Sequence, residues 1–176
     1  MLCRIEGYKG HEDLIEAFSQ LPEKLKNKYR ILFVGSGQEA QIIKLKKRIA
    51  YLKLKKNFKF FKFLRFNSLQ ILKSVDILFS LTRDFEGFGY SLAESLLVKT
   101  PVVSTKVGGT VEFLNKENSE LIKPRNIKKI RQILEKFSTN RIHFKKKANK
   151  GKLLIQKNFN ADLMGEKFYD FFYKTI

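Results

Sequence analysis

The sequence predicts a single α/β domain, a parallel sheet with helices packed on both of its faces. The short runs 75–80 (VDILFS) and 101–104 (PVVS) are apolar and β-branched enough to be strands covered on both faces. Amphipathic stretches of helical period alternate with them, and that alternation is satisfied by parallel strands joined by crossover helices. The length of 176 residues suits one domain with one core.

Taken in order, a first strand at 1–5 runs into the turn Gly7-Tyr8-Lys9-Gly10, and a helix at 11–21 follows with His11 in its first turn. A strand at 29–35 ends in Gly35-Ser36-Gly37, a tight strand-to-helix turn, before a helix at 38–52. A strand at 58–63 and a helix at 68–74 come next, then a strand at 75–80 and a helix at 89–98. Leu92, Ser95, Leu96 and Val98 of that helix are available to pack on the sheet. A strand at 101–104 leads through Gly108-Gly109 into a helix at 109–114, followed by a strand at 119–122 and helices at 126–137 and 140–156. The last helix, 161–174, carries Phe168, Tyr169, Phe171, Phe172 and Tyr173. In a sheet of this kind ligands sit beyond the carboxyl ends of the strands. No internal repeat or flexible linker interrupts the pattern.

The segment 80–112 carries the chemistry. Phe88, Gly89, Tyr90 and Ser91 open a helix, where free backbone N–H groups and the positive end of the helix dipole suit a phosphate. Glu86 lies just before this loop and Glu94 one turn into the helix. Carboxylates there repel phosphate unless they bind something else, and paired hydroxyls are the natural partners: a sugar ring for Glu86, a ribose diol for Glu94. Sugar, diphosphate and ribose in that order describe a nucleotide sugar.

These residues resemble a family. Glu86-x7-Glu94 enclosing Gly-Phe-Gly, then Pro101-Val102-Val103, then Gly108-Gly109-x-x-Glu112, is similar to the donor-binding half of the family 4 retaining glycosyltransferases, built as two Rossmann domains in the GT-B architecture. Arg4 and Lys9 in CRIEGYKGHEDLIEAF match the arginine and lysine that hold the donor diphosphate there. The strand and glycine turn at 31–37 and the strand at 57–63 match further blocks. Cys3, Lys62, Thr110-Val111 and Ser119 depart from the family pattern, and none of them touches Arg4, Lys9, Glu86 or Glu94.

The resemblance implies a Rossmann-like donor domain over 1–176, without the acceptor-binding domain that precedes it in the family. It implies catalytic roles for Arg4, Lys9 and Glu86. Donor contacts fall to Gly35, to Phe61, Lys62 and Phe63 at the end of the third strand near the base, to Phe88, Gly89, Tyr90 and Ser91 at the phosphates, and to Glu94. The donor would be a UDP-, GDP- or ADP-sugar, with no cofactor and no metal. The reaction would retain anomeric configuration on a glycan, lipid-linked or lipopolysaccharide-type acceptor in polysaccharide biosynthesis, and without its acceptor domain the chain would be inactive. The alternative is a nonenzymatic nucleotide-sugar-binding module or a basic nucleic-acid binder. A Rossmann oxidoreductase ranks below both, because Gly35 and Gly37 follow the second strand and not the first.

Composition is extreme. Thirty-six Lys and Arg against 17 Asp and Glu leave a net charge of +19. Such a charge implies attraction to anionic lipid headgroups or an anionic acceptor, while an AT-rich genome accounts for the same excess of Lys, Phe, Ile and Asn. The basic runs at 44–48 and 53–62 lie on an expected helix and strand with no recognition motif, so nucleic acid is not an expected partner. A single cysteine excludes a disulfide framework, and His11 and His143 do not make a zinc set. No apolar run approaches the ~20 residues that span a bilayer. The expected setting is the cytoplasm, with a peripheral place on the cytoplasmic face of a membrane.

Overall fold

The computed structural model describes residues 1–62 and 67–173. The described residues form β1 (Ile31–Val34), β2 (Phe58–Phe61), β3 (Leu78–Ser80), β4 (Val102–Thr105) and β5 (Glu120–Ile122). The helices are α1 (His11–Ser19), α2 (Glu23–Lys26), α3 (Glu39–Tyr51), α4 (Ser68–Lys73), α5 (Tyr90–Leu97), α6 (Ile127–Thr139), α7 (Arg141–Asn158) and α8 (Ala161–Tyr173). All strand pairs are parallel. Ile31 faces Phe58 and Val34 faces Phe61 across β1–β2, Leu78 faces Val102 across β3–β4, and Val103 faces Glu120 across β4–β5.

One expected strand is corrected. Residues 1–5 run beside β1, where Cys3 N–H donates to Val34 O, Val34 N–H to Met1 O and Ile5 N–H to Ser36 O, but they pair only as isolated bridges at Leu2–Val34 and Ile5–Gly37. In the described residues the expected single sheet is therefore two parallel ladders, β1–β2 and β3–β4–β5. The expected helix at 109–114 is also corrected, to a 3-10 turn at Gly108–Glu112. There the Thr110 hydroxyl donates back to Val107 O, which suits a tight turn better than an α-helical start. Helix α2 escaped the sequence reading because four residues show no period. Pro22 sets up its entry, and its carbonyl accepts from the N–H groups of Leu25 and Lys26. Phe63, placed by the sequence at the end of the third strand, and Lys174, placed at the end of the last helix, lie outside the described residues.

Strands β1, β3 and β4 are largely buried, as their hydrophobicity requires, whereas β2 exposes Lys59 and Phe61. Phe33, Phe79 and Val103 point into one apolar layer with Leu14, Ile15 and Phe18 of α1, Leu45 and Ile49 of α3, and Ile130, Ile133, Leu134 and Phe137 of α6. Val34, Leu78 and Val102 point into the other with Leu72 of α4 and Leu92, Ala93 and Leu96 of α5. The α6 set recurs at helical spacing, so one face of that helix is dry. Each such side chain contributes roughly 1.5–3 kcal/mol by leaving water. Helix α7 serves both layers, with Phe144 in the first and Ile155 in the second.

Candidate functional site

Three segments meet at the carboxyl ends of the strands: the N-terminal stretch through Gly10, the turn after β1, and the loop between β3 and α5. Glycines let their backbones touch. A Cβ at Gly35 would stand 2.0 Å from Cys3 O, and one at Gly108, whose φ is +52°, would stand 2.0 Å from Glu86 O. Gly109 N–H donates to Glu86 O at 3.0 Å, so the turn after β4 clamps the backbone of the β3–α5 loop.

Arg4, Gly35, Ser36, Ser68, Ser91 and Glu94 line one cavity of about 290 Å³ at this edge. Four of those six are residues the sequence singles out. Helix α5 begins at Gly89, whose left-handed φ of +76° turns the chain into the helix. The N–H groups of Leu92 and Ala93 both donate to Gly89 O. Tyr90 and Ser91 precede those bonds, so their amides are the unpaired donors of a helix start. Glu94 sits one turn farther along the same helix.

Beside the cavity Lys9 and Glu86 pair with each other. Lys9 Nζ donates to Glu86 Oε2 at 2.7 Å, and the Thr82 hydroxyl donates to the same oxygen at 2.9 Å. Arg4, which is exposed, reaches Glu6 at 2.9 Å and the Tyr8 hydroxyl at 3.2 Å. The hydrogen bond of Tyr8 to the Glu6 carboxylate holds its phenol above the usual tyrosine range.

A second clasp fixes the turn that carries Lys9. Arg83 grips the buried Asp13 with two bonds of 2.7 and 3.1 Å, and its backbone N–H donates to Tyr8 O at 2.7 Å. The hydrogen bond to Asp13 raises the guanidinium further above its ordinary value. His11 is buried below this turn with its Nε2 3.8 Å from Cys3 Sγ and its Nδ1 without a partner. Burial lowers the imidazole to about 3, and it raises the Cys3 thiol, so neither group is a base or nucleophile at neutral pH.

The other predicted residues are placed differently. Phe61 and Lys62 are exposed at the end of β2, and Phe61 joins the site through its carbonyl, which accepts from Gly35 N–H at 3.0 Å. The Phe88 ring packs at a tilt against Phe113 and Phe159, with centroids 4.8 and 5.4 Å apart, and so belongs to an aromatic cluster. Tyr90 is largely exposed. Sequence reasoning missed Thr82, Arg83, Asp13 and Glu6, whose roles depend on contacts between distant segments. Thr82, four residues before Glu86, is the one a local reading could have found. Among the described residues no group of three or more His, Cys, Asp or Glu could hold a metal ion.

This architecture is that of the C-terminal, Rossmann-like domain of GT-B glycosyltransferases. The chain belongs to the family described as glycosyl transferases group 1, whose profile matches residues 1–153. Comparison with curated proteins gave no match. Among solved structures, a glycosyltransferase from Rickettsia africae is similar at 26% identity and a TM-score of 0.87, over 99% of this chain and 46% of that one. Anabaena Alr3699/HepE, solved in complex with UDP and glucose, is similar at 21% identity and a TM-score of 0.89, over 98% of this chain and 47% of that one. The C-terminal domain of a glycosyl transferase group 1 family protein (LpcC) from Francisella tularensis matches at 23% identity and a TM-score of 0.74, over 90% of this chain and 83% of that one. The chain thus spans about half the length of the first two structures.

Proposed function

We propose that this domain binds a nucleoside diphosphate sugar and stabilises the departing diphosphate while the sugar is transferred with retention of configuration. The observation that carries the reading is the single cavity that gathers Arg4, Gly35, the start of α5 and Glu94, beside the Lys9–Glu86 pair. In this reading the ribose diol donates to Glu94, and the diphosphate lies at the amides of Tyr90 and Ser91. Arg4 and Lys9 meet the negative charge that grows as the glycosidic bond breaks. Glu86 accepts from hydroxyls of the sugar. The acceptor, of glycan, lipid-linked or lipopolysaccharide type, would be presented by a second domain. The net charge of +19 supports a place at the anionic cytoplasmic face of a membrane.

Calorimetry with UDP, GDP and ADP in EDTA tests the reading. At least one should bind without metal, UDP being the first to try given the UDP-bound neighbours. Glu94→Ala should weaken that nucleotide by roughly 1.5–3 kcal/mol, the worth of a hydrogen bond to a charged group. Failure of all three nucleotides to bind folded protein refutes the proposal.

A further inference from the structure

We infer that Glu86 is an internal substitute for the donor phosphate: it neutralises Lys9 in the empty site and thereby makes the site favour a nucleotide sugar over the free nucleoside diphosphate. The inference rests on the donor-binding reading above and assigns to one residue of that site its power to tell substrate from product.

The ion pair is well placed for this role. Its side chains are only 10% and 20% exposed, and the 2.7 Å contact is reinforced by the Thr82 hydroxyl on the same carboxylate oxygen. The backbone of Glu86 is held by Gly109 N–H and pressed against Gly108, so the carboxylate starts from a fixed root. Lys9 is equally rooted, since the turn that bears it is tied by the Arg83 side chain to Asp13 and by Arg83 N–H to Tyr8 O. By contrast Arg4 is exposed and its pairing with Glu6 lies open to water, where such a pair contributes little.

A phosphate that engages Lys9 must compete with Glu86 for the charge of the same ammonium, in a contact largely withdrawn from water. What replaces the lysine then decides the affinity. A nucleotide sugar brings hydroxyl donors to Glu86, so both members of the pair exchange one partner for another. A free nucleoside diphosphate brings none to Glu86, and leaves a half-buried carboxylate without its cation, held by the Thr82 hydroxyl alone, close to an anion, an arrangement that costs free energy twice. Once the sugar has left, Glu86 can return to Lys9 and help expel the product. No covalent bond is made or broken in this exchange.

The test is titration of UDP and UDP-glucose, with the GDP/GDP-mannose and ADP/ADP-glucose pairs in parallel, into wild type and Glu86→Gln. The variant keeps the shape of the side chain and removes its charge. It should bind the free nucleotide about fivefold or more tightly, because Lys9 no longer has an internal anion to give up. It should bind the sugar conjugate more weakly than wild type. Opposite shifts cannot come from a general loss of packing, which would weaken both ligands. Nucleotide affinity that is unchanged or lower in folded Glu86→Gln overturns the inference while leaving the donor-binding reading intact. Absence of all binding by wild type and variant defeats both, whereas nucleotide binding by the variant alone supports the substitution of phosphate by Glu86. Should Glu86→Gln fail to unfold cooperatively, Glu86→Asp retracts the carboxylate from Lys9 and should move the two affinities in the same opposite directions. An unchanged ratio there also overturns the inference.

Discussion

His11 shows how far a single residue can be read. Its position in the first helical turn was legible. Its neighbours were not, because Cys3 and Phe33 reach it from other segments, with the Phe33 ring edge-on at 4.8 Å. The buried imidazole stays neutral down to about 3, while an unfolded one takes up a proton near 6.5. Between those values the unfolded state binds the extra proton, so stability falls as pH drops through 6.5 and continues to fall toward 3. The loss is on the order of a few kcal/mol. Replacing His11 with Leu should flatten the pH dependence of the urea midpoint between about pH 7 and pH 5, above the range where most carboxylates titrate. A slope equal to that of wild type would mean that the imidazole is not held neutral. The site residues divide in the same way. Glu86 and Glu94 stood out by their place around a helix start, but the engagement of Glu86 with Lys9 joins residues 77 apart in sequence, beyond any local pattern.

At the level of elements, legibility followed the strength of the hydrophobic period. Strands β1, β3 and β4 and helices α3, α5, α6 and α7 were all visible because an apolar face or an unbroken apolar run marks each one. Residues 1–5 were misread because their apolar run matches that of a strand, whereas strand character also needs a continuous ladder, and here only two bridges form. The glycine turns offer a sharper test of what holds the loops. Gly108 has φ +52° and no room for a Cβ against Glu86 O, whereas Gly87, two residues before the helix cap, has nothing within 4 Å. Gly108→Ala should therefore cost roughly 1–3 kcal/mol and displace the Glu86 backbone. Gly87→Ala should leave the melting temperature almost unchanged. Equal melting temperatures for the two variants would show that the turn after β4 does not clamp the loop.

For the whole molecule, the charge and the exposed aromatic residues of α8 were plain in the sequence; the division of the core into two layers became clear only once each strand's facing was known. Phe168, Phe171 and Tyr173 of α8 are largely exposed, at 66%, 67% and 72%. If donor and acceptor must be held together for transfer, positioning of that kind can supply ~7–11 kcal/mol of the barrier. The 176-residue chain by itself is expected to bind donor yet turn over slowly or not at all, and to gain activity when an acceptor-binding domain is fused or added in trans. Sugar transfer at full rate by this chain alone, measured on a defined acceptor, would contradict that expectation. Helix α7 has a consequence of its own. It places Phe144 in one apolar layer and Ile155 in the other, and Gly151 between them lets Leu96 of α5 come close. A rod pinned at both ends in this way couples the melting of the two layers. Partial opening of either must strip part of α7 from the other, so the domain loses its structure cooperatively, as one unit.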